Sequence, residues 1–242
     1  MRLNGSRSNR PLIWLFDLDN TLHDASFAIF PAINANMNAL IARVLESENK
    51  PAHSQAVNDI RVAYWQRYGA TLLGMMRHHA VKSADFLHEA HQFSDLASMI
   101  RSERGIAKIL ERLYGKKILL TNAPAAYSHA VMQHLRLQKH FSSHLSIESM
   151  WVHRELRPKP SRLLLRKLLA KHGWQAHDCV LIEDTVQNLK AAKSLGMRTV
   201  WCTRYMGHQS AMPAYVDVKV NSLIQLPKHL HRLRTQNYVI HA

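Results

Sequence analysis

The sequence contains little cysteine and no long apolar run. Its 242 residues include only Cys179 and Cys202, each beside an apolar segment, so we expect two buried thiols and no disulfide framework. No apolar run approaches the roughly 18 residues that a membrane-spanning helix needs. The apolar block at residues 12–16 is also shorter than the core of a secretory signal. These absences predict a soluble, cytoplasmic protein, with a disordered tail at residues 1–10.

Acidic residues are also scarce. The chain has 17 Asp and Glu against 32 Lys and Arg, for a formal net charge of +15. Such an excess raises the local concentration of anionic ligands, and phosphorylated metabolites and nucleic acids both fit that description. The basic residues are scattered rather than gathered in one tract, which makes nucleic acid the less favoured partner.

Apolar runs of strand length alternate with helical patterns along most of the chain. We predict buried strands within residues 11–21, 116–122, 144–149, 179–184 and 198–203. This alternation predicts an α/β fold, a doubly wound parallel sheet that binds its ligand at the carboxyl ends of the strands. Residues 25–91 show helical spacing throughout, and we interpret them as a helical cap inserted into a catalytic core of residues 11–24 and 92–242.

Polar residues that the fold does not require follow three of the predicted strands. They are Asp17, Asp19 and Thr21 after the first, Thr121 and Asn122 after the second, and Glu183 and Asp184 at the end of another. Lys159, in the segment RPKP before a helix, could add a cation to the same crevice. The set offers a nucleophilic carboxylate, ligands for a hard divalent cation and groups that bind phosphate. Each residue also has a purely structural explanation, because such side chains commonly end strands, cap helices or face solvent.

The spacing of Asp17 and Asp19 suggests how the two side chains could act together in a reaction. Side chains two residues apart at a strand end can point to the same side, so one carboxylate can attack while the other transfers a proton. In phosphoryl transfer the protein mainly positions the reactants and neutralises charge. A magnesium ion and Lys159 would therefore suit a carboxylate nucleophile.

The segments FDLDNT, LLTN, RPKP and IEDTVQNLKAA resemble, in this order, the four motifs of the haloacid dehalogenase (HAD) superfamily of hydrolases. They span Phe16 to Ala192, most of the chain. The resemblance implies a HAD-like Rossmannoid core in which Asp17 forms an aspartyl-phosphate and Asp19 is the general acid and base. It also implies that Thr121, Asn122 and Lys159 bind the phosphate, and that Lys159 orients the nucleophile.

The same resemblance implies a Mg²⁺ cofactor. Its ligands would be the carboxylates of Asp17 and Asp184 and the backbone carbonyl of Asp19, with Glu183 as a further ligand or beside the ion. Dehalogenases of the superfamily lack an aspartate at the position of Asp19, so a phosphatase is expected. The sequence departs from the usual pattern at Ser161, where relatives often have an acidic residue or asparagine.

The cap segment YWQRYGATLLGMMRHHAV resembles that of the pyrimidine 5'-nucleotidase branch, which implies a nucleoside monophosphate as the substrate. Tyr68, Arg77 and His78 are the candidates for substrate contact, although Tyr68 could be cap core and the other two an exposed turn. Two alternatives remain open. One is a phosphatase or mutase for a phosphosugar or another small phosphate, and the other is a non-catalytic nucleic-acid-binding protein with the same fold.

Overall fold

A computed structural model describes residues 12–207 and 211–233, so the predicted tail at residues 1–10 lies outside the described part. Six parallel strands form one sheet in the order β3-β2-β1-β6-β7-β8, and β4 and β5 form a separate antiparallel hairpin. The strands are β1 (Ile13–Phe16), β2 (Lys116–Leu120), β3 (Ser143–Leu145), β4 (Trp151–Val152), β5 (Glu155–Leu156), β6 (Cys179–Glu183), β7 (Arg198–Cys202) and β8 (Val218–Val220). The helices are α1 (Ile29–Ser47), α2 (Ser54–Tyr68), α3 (Thr71–His78), α4 (Ser83–Ala90), α5 (Leu96–Met99), α6 (Ile106–Arg112), α7 (Ala125–His134), α8 (Arg162–His172), α9 (Val186–Lys193) and α10 (Leu230–Leu233).

The sheet confirms the predicted doubly wound α/β fold. Every residue of β1 and β6 is buried, as expected for strands covered by helices on both faces. The chain proceeds from β1 to β2 and β3 on one side and returns to β6, β7 and β8 on the other. The order therefore reverses between β1 and β6, and a ligand crevice is expected at their carboxyl ends. Cys179 and Cys202 are buried free thiols within these strands, as predicted.

Helices α1 to α4 form an all-helical insertion between β1 and β2, within the predicted cap of residues 25–91. The two chain segments that lead into and out of it lie side by side. The backbone N–H of Asp24 donates to the carbonyl of Arg101 at 2.7 Å, and the Ser102 hydroxyl donates to the carbonyl of Leu22 at 2.9 Å. We call residues 22–24 and 101–102 the stem of the insertion. Among the described residues, no helix combines the length and the apolar character needed to span a membrane.

Gly115 sets the start of β2 against the start of β1. Its φ is 110°, and a Cβ built on it would lie 2.1 Å from the carbonyl oxygen of Leu12. That same oxygen accepts the backbone N–H of Lys116 at 3.1 Å, at the entrance to the β1–β2 pair. Only glycine allows both the dihedral angle and this close approach.

We expect Gly115→Ala to lower the free energy of unfolding by about 3 kcal/mol or more, because it adds a backbone clash to an unfavourable φ. Gly173→Ala is the matched control. Gly173 also has a positive φ, 64°, but its added Cβ would meet open space, so a loss of only about 1 kcal/mol is expected. Urea unfolding of both variants measures the difference, and equal losses would show that the close approach to Leu12 is unimportant.

Candidate active site

Three neighbouring strands bring the predicted site residues to one edge of the sheet. In the register of the sheet, Phe16 of β1 lies opposite Leu119 of β2 and Ile182 of β6. The next backbone N–H, that of Asp17, donates to the carbonyl of Ile182 at 3.0 Å. The backbone of Asp17 is therefore fixed by the sheet itself, and its side chain is buried beside those of Glu183 and Asp184.

Lys159 reaches this edge from the loop between β5 and α8. Its ammonium Nζ lies 2.7 Å from Asp17 Oδ1 and 2.7 Å from Glu183 Oε2. The side-chain amide of Asn122 holds the lysine backbone: Nδ2 donates to the carbonyl of Lys159 at 3.0 Å, and Oδ1 accepts its N–H at 2.9 Å. The amide of Asn122, predicted to bind phosphate, is thus already paired with the backbone that carries the lysine.

Three buried carboxylates surround this one ammonium. Asp17, Glu183 and Asp184 each offer an oxygen atom, and these atoms all lie within 4.8 Å of one another. Lys159 balances only one of the three negative charges. Carboxylate oxygens at this spacing are the donors that a hard divalent cation prefers, so the residues fit a cation that would complete the charge balance.

Burial and the excess of negative charge raise the pKa values of the carboxyl groups in this cluster. Burial and the charge of Glu183 raise the pKa of Asp17 to about 7, and burial raises that of Glu183 to about 7. Burial and the charge of Asp17 raise the pKa of Asp184 to about 6. Although burial alone lowers it, the charges of Asp17 and Glu183 raise the pKa of Lys159 above its usual value, so the ammonium stays charged.

Asp19 has partners that the sequence analysis did not identify. Its Oδ1 accepts a hydrogen bond from the Tyr127 hydroxyl at 2.6 Å and lies 2.9 Å from His23 Nε2. Burial raises the pKa of Asp19, but the hydrogen bond and charge of His23 outweigh that effect and lower it below its usual value. The four-residue spacing from Asp19 to His23 is the one sequence signal that could have indicated this contact.

Thr121 lies at the end of β2 and is buried. Its Oγ1 accepts the backbone N–H of Ala123 at 3.1 Å. In the described part of the chain, its hydroxyl hydrogen has no acceptor. The group therefore has a hydrogen to donate to an incoming oxygen atom.

Tyr68, Arg77 and His78 lie together in the helical insertion, at the end of α2 and the end of α3. The Tyr68 hydroxyl is 2.5 Å from His78 Nε2, and the Arg77 guanidinium lies 5.9 Å from the centre of the Tyr68 ring. The adjoining Gly69 faces the lysine loop, because a Cβ built on it would lie 3.9 Å from Pro160 Cδ. Arg77 and His78 are exposed, and among the described residues no hydrogen bond joins the three to the strand-end side chains.

We expect Mg²⁺ to stabilise the fold more strongly at about pH 8 than at about pH 5. Without a cation, the folded protein holds protons on its buried carboxyls between about pH 4 and 7, where an unfolded chain has lost them, so their contribution to stability falls as pH rises. A cation binds the deprotonated groups and offsets that loss. Thermal unfolding of chelator-treated protein with and without MgCl₂ at both pH values measures the effect.

Asp184→Asn tests whether this cluster is responsible. The variant should lose most of the magnesium-dependent shift in Tm at about pH 8, since it removes one of the three carboxylates. Asp59→Asn, at an exposed position in α2, should keep the full shift. Equal shifts in both variants would place the cation elsewhere.

Comparisons with known proteins identify the family. The family model for haloacid dehalogenase-like hydrolases matches residues 13–196. A HAD phosphatase from Thermococcus onnurineus shares 16% identity and superposes with a TM-score of 0.61, over 90% of this chain and 97% of that one. A 2-haloacid dehalogenase from Pseudomonas syringae shares 21% identity and superposes with a TM-score of 0.55, over 92% of this chain and 99% of that one. A HAD hydrolase from Bacillus subtilis bound to magnesium shares 15% identity and superposes with a TM-score of 0.56, over 92% of this chain and 99% of that one.

At these identities, the solved structures establish a shared fold, and they include both phosphatases and dehalogenases. The family match covers the sheet edge that carries Asp17, Lys159 and Asp184. It confirms the resemblance that the four sequence motifs indicated. The chain therefore belongs to the haloacid dehalogenase-like hydrolases.

Proposed function

We propose that the protein is a magnesium-dependent phosphomonoesterase that forms an aspartyl-phosphate on Asp17. The observation that carries the proposal is the pair of carboxylates at the end of β1. Asp17 is buried against the ammonium of Lys159, whereas Asp19 contacts Tyr127 and His23 and keeps 17% of its side chain exposed. The ammonium of Lys159 favours the ionised form of Asp17 that attacks, and the exposed part of Asp19 lets it exchange protons with a substrate or with water.

In the first step, a carboxylate oxygen of Asp17 attacks the phosphorus atom, and the bond to the alcohol oxygen breaks. Asp19 donates a proton to that oxygen, so an alcohol leaves. Lys159 and the Thr121 hydroxyl bind phosphoryl oxygens while the charge on them redistributes. Asp17, Asp184 and the backbone carbonyl of Asp19, with Glu183 beside them, would hold a magnesium ion, which would supply additional charge neutralisation.

In the second step, Asp19 acts as a base. It takes a proton from a water molecule, whose oxygen attacks the phosphorus atom of the aspartyl-phosphate. The bond to Asp17 breaks, inorganic phosphate leaves, and Asp19 is again protonated. Both active-site carboxyl groups are then ready for another substrate molecule.

The surroundings of Asp19 favour an alcohol over a halide as the leaving group. A halide departs as a stable anion and needs no proton, so a dehalogenase has no task for a general acid at this position. Here Asp19 is held by two donors at the substrate edge of the sheet. This arrangement supports the phosphatase proposal over the dehalogenase activity of some structural neighbours.

The charge of the rest of the chain supports an anionic substrate. Four of its 17 acidic residues, Asp17, Asp19, Glu183 and Asp184, lie in the site. Outside the site, the chain has only 13 acidic residues but 31 of its 32 Lys and Arg residues. Such an excess attracts phosphate dianions toward the molecule.

For the substrate we propose a nucleoside monophosphate, with a pyrimidine base. The support comes from the part of the cap that carries Tyr68. Gly69, next in the chain, faces the lysine loop at Pro160, which puts this part close to the phosphate end of the site. An aromatic ring flanked by Arg77 and His78 can stack on a base and contact an anionic group.

Asp17→Asn should lower phosphate release by at least about a thousandfold, because it removes the nucleophile. The test measures release from UMP, CMP, dTMP, purine nucleotides and hexose phosphates, with and without magnesium. Asp59→Asn makes the same chemical change at an exposed cap position and should retain wild-type activity. Full activity in Asp17→Asn would reject the proposed nucleophile.

The substrate panel separates the remaining alternatives. A preference for pyrimidine nucleotides supports the cap proposal, whereas a preference for a sugar phosphate rejects it and leaves the chemistry intact. If no phosphate is released from any substrate, binding of DNA or RNA that weakens steeply with salt would favour the nucleic-acid-binding alternative.

A further inference from the structure

Two side chains from different parts of the fold converge on one oxygen atom of Asp19. The Tyr127 hydroxyl lies 2.6 Å from Oδ1, and His23 Nε2 lies 2.9 Å from the same atom. Tyr127 is 4% exposed and His23 is fully buried. Among the described residues, none makes a hydrogen bond to Oδ2, the other carboxylate oxygen of Asp19.

The burial of His23 and Tyr127 indicates which of their atoms carry the hydrogens that face Asp19. His23 Nδ1 is buried and has no partner within the described ranges, so a hydrogen there would be an unsatisfied donor. The ring hydrogen is therefore placed on Nε2, where it is directed at Asp19. Burial and the charge of Asp19 raise the pKa of the Tyr127 hydroxyl well above its usual value, so this group also donates.

Two donors on Oδ1 leave the reactive proton only one position. A proton on Oδ1 would collide with the hydrogens of Tyr127 and His23, so a protonated Asp19 carries its proton on Oδ2. The terminal torsion of an aspartate side chain is soft on its own. Two hydrogen bonds to one oxygen fix that torsion and determine where Oδ2 points.

The two donors are themselves held in place. His23 belongs to the tight turn after β1, where the backbone N–H of Leu22 donates to the carbonyl of Leu18 at 2.8 Å. Tyr127 lies in the first turn of α7, and its ring packs against His91 and Phe93, with ring centres 5.3 and 5.7 Å away. One donor is thus local to Asp19, and the other comes from a helix 108 residues further along the chain.

We propose that Tyr127 and His23 are positioning residues that hold Oδ1 of Asp19, so that Oδ2 delivers the proton to the leaving alcohol and later accepts one from water. This inference rests on the proposed function, because it needs a reaction in which Asp19 transfers a proton. It adds two residues that the four sequence motifs do not contain.

Leaving groups of different basicity test the proposal. An alkyl phosphate such as UMP or ribose 5-phosphate needs a proton on its leaving oxygen, whereas p-nitrophenyl phosphate releases a stable anion and does not. We expect Tyr127→Phe to lower kcat/KM for the alkyl phosphates by about 10- to 100-fold, and for p-nitrophenyl phosphate by less than about 3-fold. A merely structural defect would lower both in the same proportion.

Substitutions of His23 provide an independent test if Tyr127→Phe folds poorly. His23→Leu removes the donor and should show the same selective loss. His23→Gln places an amide N–H near the position of Nε2 and should recover much of the lost activity on alkyl phosphates. Failure of Gln to do better than Leu would overturn the role given to His23.

Ser128→Ala is the matched control for Tyr127. It removes a buried hydroxyl from the next position of α7, where the group bonds to the carbonyl of Pro124 rather than to Asp19. The ratio of the two kcat/KM values should stay at its wild-type value in this variant. A changed ratio in Ser128→Ala, or an unchanged ratio in Tyr127→Phe, would reject the positioning role.

The wild-type protein separates this inference from the proposed function. If wild type releases no phosphate from any of these esters, the proposed function fails. If wild type is active, loses activity in Asp17→Asn and keeps its leaving-group preference in both Tyr127→Phe and His23→Leu, only the positioning inference fails.

Discussion

The contact of the Lys159 ammonium with Asp17 and Glu183 is the interaction on which the site depends. A buried ammonium is tolerated only where carboxylates pair with it. Asp17 and Glu183 can do so because β1 and β6 are parallel neighbours that end at the same level of the sheet. Asn122, at the end of β2, then holds the backbone of Lys159. One cation therefore joins three strand ends, and the remaining negative charge of the cluster suits a divalent cation.

The fold was predictable where burial determines the pattern. Strands covered on both faces must be apolar throughout, and β1, β2, β6 and β7 were found from their apolar runs for that reason. The hairpin of β4 and β5 has two residues in each strand, and β8 has three. Such segments are too short to show a period, and their pairing is decided by tertiary contacts. They could not be identified from the sequence.

The strand-end side chains were predictable because parallel topology brings consecutive strand ends to one edge. Asp17, Glu183 and Asp184 do lie together at that edge, and Lys159 reaches them from a loop. No such rule predicts the contact of Tyr127 with Asp19, because it depends on how α7 packs against His91 and Phe93 rather than on any spacing along the chain. The contact between Tyr127 and Asp19 is visible only in the three-dimensional structure.

The stem of the insertion has a consequence for the history of such a protein. Its two segments are joined by hydrogen bonds from Asp24 to Arg101 and from Ser102 to Leu22. The chain therefore returns to the sheet close to the point at which it left, whatever the length of the insertion. A segment inserted between adjacent points adds little entropic cost of closure as it lengthens. The length and sequence of the insertion can thus change while the edge of the sheet that carries Asp17 stays as it is.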